Sequence, residues 1–312
     1  MPELRAAVIG AGRLGSLHAA KYAAISGIKL AYVVDIDADR ASQLASQYGA
    51  ASASDYRGLD NKVDVVTVAS PGVTHHEIAS HFLRANCDVL VEKPMAATVE
   101  DARALTALAE HSGRILQIGH LERFNPAVIH LRSIVKGPRF VECHRLAPFT
   151  ERGTDVDVVL DLMVHDLDVL FALTGADATS VEALGVAILT DQIDVANARI
   201  RFSNGMIANL SSSRVAPRRE RKIRFFQPDA YISLDYEARR IQVYRKSPPP
   251  TPGAFPVISA EQIELGEADP LADEVASFVA TVRTRGTPAV TARDGLRVIE
   301  LIERIRVCME QP

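Results

Sequence analysis

The sequence predicts an α/β protein of two domains: a doubly wound parallel sheet in residues 1–119, and an α+β domain with a large, mostly antiparallel sheet in residues 120–312. Up to residue 119, short apolar runs alternate with helical patterns, as in a parallel sheet with right-handed crossovers. From about residue 179, apolar and polar residues alternate within short segments, as they do in half-buried antiparallel strands. A chain of 312 residues is long enough for both domains.

The elements of the first domain follow from hydrophobic periodicity. Apolar runs predict strands over 6–9, 30–34, 63–69, 89–92 and 115–118. Helical patterns cover 14–25, 74–86 and 98–113, and the last of these begins at Thr98 with Asp101 three residues on, an approximate capping box.

The second domain begins with helical patterns over 125–135 and 157–173. Residues 196–202 and 206–212 flank Ser203-Asn204-Gly205, and an Asn-Gly turn between alternating segments predicts a hairpin. Further strands are predicted over 221–226, 231–236 and 240–244, a proline-rich loop over 247–256, and amphipathic helices over 271–284 and 291–308.

The composition argues against several classes of protein. With 35 basic and 39 acidic residues the chain is nearly neutral, so neither nucleic acid nor a membrane is expected as the main partner. Cys87, Cys143 and Cys308 lack the spacing of metal ligands and the histidines are dispersed, so we predict no metal site. The first strand starts within a few residues of Met1, and no apolar run has the length of a membrane span; we therefore expect a reduced, cytoplasmic protein.

Three glycines mark the end of the first strand. Gly10 permits a tight turn, Gly12 lets the backbone approach a pyrophosphate, and Gly15 lets the following helix pack on the strand. Arg13 and Leu14 begin that helix, whose amino end points at the phosphates. In this setting the motif predicts a dinucleotide-binding Rossmann domain; the alternative is a glycine-rich surface turn.

Asp35 ends the second strand, where a carboxylate can accept hydrogen bonds from ribose hydroxyls and repel a 2′-phosphate. This favours NAD over NADP as the cofactor. Arg13 and Arg40 keep NADP open, because either side chain could meet a phosphate.

Lys93 stands between Glu92, at the end of a strand, and Pro94. Because proline keeps the preceding residue extended, the lysine side chain should project at the carboxyl edge of the sheet, where ligands bind in such folds. The alternative is a surface lysine beside an acid.

Asp161 and His165 are four residues apart on a predicted helix and share a face, which Asp168 extends. A histidine beside a carboxylate suits a general base that removes a hydroxyl proton. The alternatives are a hydrogen-bonded pair in the core and a solvated acidic face.

Other polar residues give weaker signals. His75 and His76 follow Ser70-Pro71 at a helix start, where a histidine can serve only as a cap. Most arginines should be solvated, but some could clamp a diphosphate or carboxylate. The candidates for this role are Arg123, Arg139, Arg145, Arg152, Arg214, Arg218, Arg219 and Arg221.

These motifs, in this order, resemble the Gfo/Idh/MocA family, named for glucose-fructose oxidoreductase and inositol dehydrogenase. The specific elements are Glu92-Lys93-Pro94 and Asp161-x-x-x-His165. The other matching stretches are 8–15, Ser70-Pro71 with His75, Arg123-Phe124-Asn125-Pro126, Ser203-Asn204-Gly205 and Asp294-Gly295-Leu296. The resemblance implies an N-terminal Rossmann domain, and a C-terminal sheet whose open face forms homo-oligomers.

The resemblance also implies roles for the site residues. Lys93 would hold the reacting hydroxyl and the nicotinamide end, His165 would be the base, and Asp161 would orient it. The residues implied to line the cofactor are Ser70, Pro71, His75 and Glu92, together with Gly10, Gly12, Arg13, Leu14, Gly15 and Asp35.

Within the family, residues 117–126, 148–149 and 155–166 are similar to bacterial enzymes that oxidise C3 of UDP-N-acetylglucosamine. Their 3-keto product goes to a partner aminotransferase for lipid A synthesis. This implies an NAD-dependent dehydrogenase, with His120, Arg123 and Arg152 as further substrate contacts beside Lys93, Asp161 and His165. The alternatives are a dehydrogenase of a free sugar or cyclitol, such as inositol, and a catalytically silent NAD-binding regulator.

Overall fold

A computed structural model describes residues 3–151, 153–251 and 254–310. The chain divides into two compact units, each described here by itself. The first comprises Met1–Phe124 and Asp269–Glu300, and the second comprises Asn125–Ala268 and Leu301–Pro312. The segment 269–300, which the sequence assigned to the second domain, thus packs with the first unit.

The first unit is built on a six-stranded sheet in which every pairing is parallel, in the order β3-β2-β1-β4-β5-β6. The predicted parallel sheet is therefore confirmed, and a short edge strand is added to it. Its strands are β1 Leu4–Ile9, β2 Ile28–Val34, β3 Ala51–Ala53, β4 Val65–Val68, β5 Asp88–Glu92 and β6 Leu116–Gly119. The helices between them are α1 Arg13–Ala24, α2 Ala38–Gln47, α3 His75–Arg84 and α4 Val99–Ser112.

Two later helices contribute to this unit. Helix α7 (Pro270–Thr284) starts where the Asp269 side chain accepts a 3.0 Å hydrogen bond from the Ala272 N–H, and α8 (Ala292–Met309) follows. Along α7, Val275, Phe278, Val279 and Val282 form a stripe that enters the apolar core of β1, β2 and α1. Burial of this stripe explains why a segment so late in the sequence joins the first unit.

The second unit contains an eight-stranded sheet in the order β14-β13-β12-β11-β7-β10-β9-β8. The β7–β10 pair is parallel and the other pairs are antiparallel, which confirms the predicted mostly antiparallel sheet. Its strands are β7 Phe140–Leu146, β8 Ala178–Val186, β9 Val195–Phe202, β10 Ile207–Ser213, β11 Glu220–Phe226, β12 Ala230–Asp235, β13 Arg240–Ser247 and β14 Val257–Glu264. The helices α5 Pro126–Ile134 and α6 Val164–Thr174 and the last part of α8 also belong to this unit.

The predicted hairpin is present as β9 and β10. Gly205 at its turn has a φ of 82°, a conformation that glycine adopts without strain. In the part of the chain that the structure describes, no helix combines the length and apolarity needed to cross a bilayer.

The Phe278→Ala variant tests the position of α7. Phe278 is fully buried, so its truncation should lower the free energy of unfolding by about 3–5 kcal/mol. Phe255→Ala is the matched control, because Phe255 is 93% exposed and its loss should change stability little. Urea denaturation compares the two; equal effects would contradict the assignment of α7 to this core.

Candidate active site

The glycine turn after β1 is a tightly packed cradle. Gly10 has a φ of 101°, and a Cβ there would lie 2.6 Å from the carbonyl oxygen of Ala69. A Cβ on Gly15 would overlap the Gly10 carbonyl, whereas one on Gly12 would meet nothing within 4 Å. The turn therefore excludes side chains on its inner side and leaves open space at the start of α1, which has no side-chain cap. This shape fits the pyrophosphate of a dinucleotide.

Asp35 connects the end of β2 to this cradle. One carboxylate oxygen accepts a 2.7 Å hydrogen bond from the Ala11 N–H, and the other accepts a 3.0 Å bond from the Asp37 N–H. Gly10 is held from the same strand end, since its N–H donates to the Val34 carbonyl at 2.7 Å. The negative charge expected to select NAD thus lies beside the phosphate-binding turn.

His75 joins the loops that follow β4 and β5. Its Nδ1 lies 2.7 Å from the Pro94 carbonyl oxygen and its Nε2 lies 2.9 Å from that of Ser70. Both hydrogen bonds form only when both ring nitrogens carry hydrogen. Ser70 and Thr74 are bonded through their hydroxyls at 2.7 Å, and Thr74 donates to the Pro71 carbonyl. The imidazole is buried, so it braces the loop that carries Ser70 and Pro71.

Glu92 ends β5 with a buried carboxylate. Its Oε1 lies 2.7 Å from Nε2 of His18 on α1. A Cβ on Gly119 would lie 3.0 Å from Oε2, so this glycine makes room for the carboxylate. Burial acts to raise the pKa of Glu92, but the His18 hydrogen bond and the charges of His18, His75 and Lys93 outweigh it and lower that pKa. Glu92 is therefore a buried carboxylate directly before Lys93.

Lys93 follows β5, as predicted, and is half-buried. The Lys93–Pro94 peptide bond is cis. The start of α8 packs near this loop, because a Cβ on Gly295 would lie 2.8 Å from the sulfur of Met95. Glycine at position 295 thus permits the close packing of α8 against the loop after Lys93.

The predicted substrate contacts of the first unit are mostly enclosed. His120 and Arg123 are both buried, and the Arg123 guanidinium lies 3.6 Å from the Asp294 carboxylate. Asp294 also caps α8 through hydrogen bonds from the N–H and hydroxyl of Thr291. Burial acts to raise the pKa of Asp294, but the Thr291 hydrogen bonds and the Arg123 charge lower it overall. Arg152 lies outside the described residues.

Asp161 and His165 occupy an irregular helix in the second unit. The sequence predicted one helix over 157–173, but Val159–Met163 forms a π-helical turn and α6 begins only at Val164. Asp161 therefore lies in the π turn and His165 in the first turn of α6, and both are half-buried. Single π turns inside helices are frequent at functional sites.

Gly153 lies against the carboxylate of Asp161. Its φ is 75°, and a Cβ there would be 3.1 Å from Oδ2 of Asp161. Arg214 holds this segment, because its guanidinium donates to the carbonyls of Gly153 at 2.8 Å and Val156 at 2.5 Å. Arg214 is buried and lies 3.7 Å from the carboxylate of Asp194. It therefore braces the backbone before the π turn and is not one of the solvated arginines.

Asp194 is itself held by a loop. Its carboxylate accepts hydrogen bonds from the N–H groups of Ile188, Leu189 and Thr190 and from the Thr190 hydroxyl. Burial acts to raise the pKa of Asp194, but these bonds outweigh it and lower the pKa to about 2. Asp194 thus remains ionised opposite Arg214 at neutral pH.

Asp166, the residue after His165, pairs with Arg145 on β7. The guanidinium donates to both carboxylate oxygens at 3.0 and 2.8 Å, and both side chains are buried. Arg145 also lies over the ring of Tyr236, 5.5 Å from its centre. This bidentate pair fixes the first turn of α6 on the sheet. Like Arg214, Arg145 is buried and paired and is not exposed to solvent.

Two buried residues near Glu92 were missed by the sequence analysis. His18 belongs to the stripe Gly15, His18, Ala19 and Tyr22 on the buried face of α1, and Glu274 lies in the stripe of α7. In each case a single ionisable residue stands in an apolar helical stripe. That pattern is the signal that could have found them.

The first unit thus brings the glycine cradle, Asp35, the braced loop after β4, Glu92 and Lys93 to the carboxyl ends of parallel strands. Ligands bind at this edge of open α/β sheets, so the fold and cradle define a dinucleotide-binding Rossmann domain. Residues 4–120 match the domain described as the oxidoreductase family, NAD-binding Rossmann fold, and residues 127–233 match the GFO/IDH/MocA C-terminal domain. The chain belongs to the Gfo/Idh/MocA oxidoreductase family.

Comparisons with individual proteins agree. The chain is 38% identical, over 99% of its length and 98% of the relative, to a UDP-N-acetylglucosamine 3-dehydrogenase of Acidithiobacillus ferrooxidans. A solved structure of the enzyme of that name from the same organism superposes with a TM-score of 0.92 and 37% identity, and each chain is covered fully. Inositol 2-dehydrogenase 2 of Saccharopolyspora erythraea is 33% identical over 56% of this chain and 55% of its own.

Substitution of Gly10 tests the cradle. Gly10→Ala places a Cβ against the Ala69 carbonyl and should displace the turn, so NAD affinity measured by calorimetry should fall at least about tenfold, or about 1.4 kcal/mol. Gly58→Ala is the control, since a Cβ at Gly58 meets nothing within 4 Å and Gly58 lies outside the cradle. Unchanged NAD affinity in a folded Gly10→Ala variant would contradict the assigned site.

Proposed function

We propose that this protein is an NAD-dependent dehydrogenase that oxidises the C3 hydroxyl of UDP-N-acetylglucosamine to a ketone. The observation that carries the proposal is the full-length similarity to the Acidithiobacillus ferrooxidans enzyme of that name, at 38% identity over 99% of this chain. The site described above supplies groups of the kind this chemistry needs.

His165 is the proposed general base. An imidazole beside a carboxylate can accept a hydroxyl proton, and the partner carboxylate orients the ring and stabilises the imidazolium that forms. Asp161 is proposed for that part, because the π turn places it on the helix that carries His165. The Arg145–Asp166 pair and Arg214 keep this segment rigid.

Lys93 is the proposed second proton-handling group. Its ammonium group can donate a hydrogen bond to the substrate oxygen and so stabilise the negative charge that develops as the proton leaves. NAD, when bound, supplies the hydride acceptor. Asp35 and the glycine cradle hold its adenosine and pyrophosphate parts, and Ser70, Pro71 and the braced loop are proposed to line the rest.

The substrate contacts are a separate part of the proposal. His120, Arg123 and Arg152 are proposed to meet the nucleotide sugar, whose diphosphate suits a guanidinium.

A free sugar or cyclitol is the second candidate substrate, since the family includes inositol dehydrogenases, one of which is 33% identical over 56% of this chain. Formation of NADH from UDP-N-acetylglucosamine, free N-acetylglucosamine and myo-inositol should be compared, with a keto-acid acceptor to draw the reaction forward. Turnover of the nucleotide sugar alone is expected; turnover of inositol alone would overturn the substrate, and NAD binding without any turnover would indicate a silent regulator.

Substitutions in the proposed acid–base groups should abolish turnover without unfolding the protein. Lys93→Met and His165→Asn should each lower kcat by about 10²-fold or more, because positioned acid–base groups contribute on that scale. Lys62→Met and His130→Asn are the matched controls outside the site. Near-normal kcat in both site variants would contradict the mechanism.

We also propose a homo-oligomer that forms through the large sheet. Four aromatic rings form a row across adjacent strands on one face, with centroids 5.2–5.9 Å apart: Phe140, Phe226, Tyr231 and Tyr244. These rings are only partly buried, and Tyr244 is exposed. An apolar row of this kind suits the same face of a second copy, because isologous contacts are the commonest in homo-oligomers.

Sedimentation of the Tyr244→Arg variant tests that face. A charge within the apolar row should weaken association and shift the protein toward monomer, whereas Val73→Arg, an exposed position in the other unit, should not. Identical sedimentation of all three proteins would contradict the assigned face.

Two further parts of the proposal rest on the chemistry of the product. A 3-keto sugar is a substrate for an aminotransferase, which we propose as the functional partner in supplying 3-amino sugars for lipid A. We propose that this protein is located in the cytoplasm. Burial raises the pKa of the Cys87 thiol to about 11, in keeping with an inert, reduced cysteine.

A further inference from the structure

Three buried ionisable side chains meet next to Lys93. They are His18 on α1, Glu92 at the end of β5 and Glu274 on α7. His18 and Glu274 have no exposed surface, and Glu92 is 7% exposed. A ring nitrogen of His18 and one oxygen from each carboxylate lie within 4.8 Å of one another.

Hydrogen bonding is the observed link within this cluster. The 2.7 Å separation between Nε2 of His18 and Oε1 of Glu92 is that of a charge-assisted hydrogen bond, with a hydrogen between the two atoms. A metal ion would need the lone pairs of both atoms to point at the metal instead. His18 and Glu92 are therefore interpreted as a hydrogen-bonded pair, with the Glu274 carboxyl group close to both.

The carboxylates cannot ionise independently. Two buried carboxylates this close repel each other when both are charged, so the proton occupancy of one depends on the other and on the neighbouring imidazole. Glu92 carries the negative charge more readily, because the charges of His18, His75 and Lys93 lower its pKa. These come from α1, α3 and the loop after β5, and Glu274 faces the cluster from α7.

The neighbouring polar groups reinforce this distribution. The Tyr22 hydroxyl, one turn after His18, bonds Thr67 on β4 at 2.8 Å. Burial raises the pKa of Tyr22 despite this bond, and the charge of Glu274 adds to the effect, so Tyr22 keeps its proton. The side-chain amide of Gln117 donates to the backbone carbonyl of Glu274 at 3.4 Å. The cluster is thus bordered by groups that hold α1 and α7 in place.

We propose that His18 and Glu274 are positioning residues for the reaction: the His18 hydrogen bond keeps the Glu92 carboxylate ionised and fixed beside Lys93, and the neighbouring Glu274 carboxyl group opposes that ionisation. The consequence for chemistry rests on the proposed role of Lys93. His18 provides the compensating positive charge, and Glu274 provides a second buried carboxyl group nearby. Neither residue touches the substrate.

The pH dependence of kcat separates this role from a purely structural one. The profile is measured in the reverse direction, reduction of the ketone by NADH, where His165 acts in its protonated form. The acidic limb then reports Glu92, because activity that needs ionised Glu92 falls as the pH drops through the pKa of Glu92. His18→Gln can still donate a hydrogen bond but carries no charge, so the acidic limb should move to higher pH, by ~1 to 3 pH units. Glu274→Gln removes the second carboxylate. The acidic limb of the pH profile should therefore move to lower pH.

His81→Gln is the matched control. His81 pairs with Asp60 through Nε2 at 2.8 Å, the same type of bond, on the more exposed side of α3. Its substitution should leave the limb where it is. A wild-type pH profile in His18→Gln would mean that the hydrogen bond alone is sufficient, and would overturn the proposal. If His18→Gln does not fold, the Glu274→Gln variant decides. An acidic limb in that variant that moves to higher pH, or that does not move, would overturn the proposal.

A second measurement needs no substrate. With 13C-carboxyl-labelled glutamate, the Glu92 resonance, assigned by its loss in Glu92→Gln, should titrate at higher pH in His18→Gln and at lower pH in Glu274→Gln. If the midpoint of the Glu92 titration moves in neither variant, the proposed coupling of His18 and Glu274 to Glu92 is refuted even if the enzyme is active. A moving midpoint in a protein that oxidises no sugar instead refutes the proposed function and leaves the cluster intact.

Discussion

The close approach of backbone to backbone at Gly10 and Gly15 is the constraint on which the rest of the first unit depends. Gly10 lies against the end of β4, and Gly15 lets the start of α1 rest on the turn itself. Because no side chain can enter, the N-terminus of α1 stays open for an anion. The same turn receives the Asp35 carboxylate through Ala11, so one short segment carries both of the features that we propose for phosphate binding and cofactor selection.

In each unit the proposed reactive groups lie on irregular backbone segments, and buried charged side chains hold these segments in place. In the first unit, His75 and His18 brace the strand ends around Lys93. In the second, Arg214 and the Arg145–Asp166 pair enclose the π turn with Asp161. Breaking one partner of such a buried pair costs more than the pair contributes, because a charge is left without compensation. Buried charge pairs therefore contribute to the rigidity of the backbone near the proposed chemistry.

Local patterns predicted much of this arrangement. Three features could be predicted because they depend only on local sequence, that is, on strand ends and residue types. They are the glycine turn, Asp35 and the position of Lys93. The position of 269–300, the burial of Arg145 and Arg214 and the cluster around His18 depend on contacts between residues far apart in the chain. The π turn was also missed, since a helical period does not distinguish 157–173 as one helix from a helix with an inserted residue. Periodicity identifies a buried face but not the element that covers it.

The central claim is that a hydride leaves C3 of a UDP-linked sugar for NAD. UDP-N-acetylglucosamine deuterated at C3 tests it most directly, with the reduced cofactor analysed by mass spectrometry. The reduced cofactor should be heavier by the mass difference between deuterium and hydrogen, and it should form more slowly than from the unlabelled sugar. Unlabelled reduced cofactor formed from the deuterated sugar would contradict it, because the hydride would then come from another carbon.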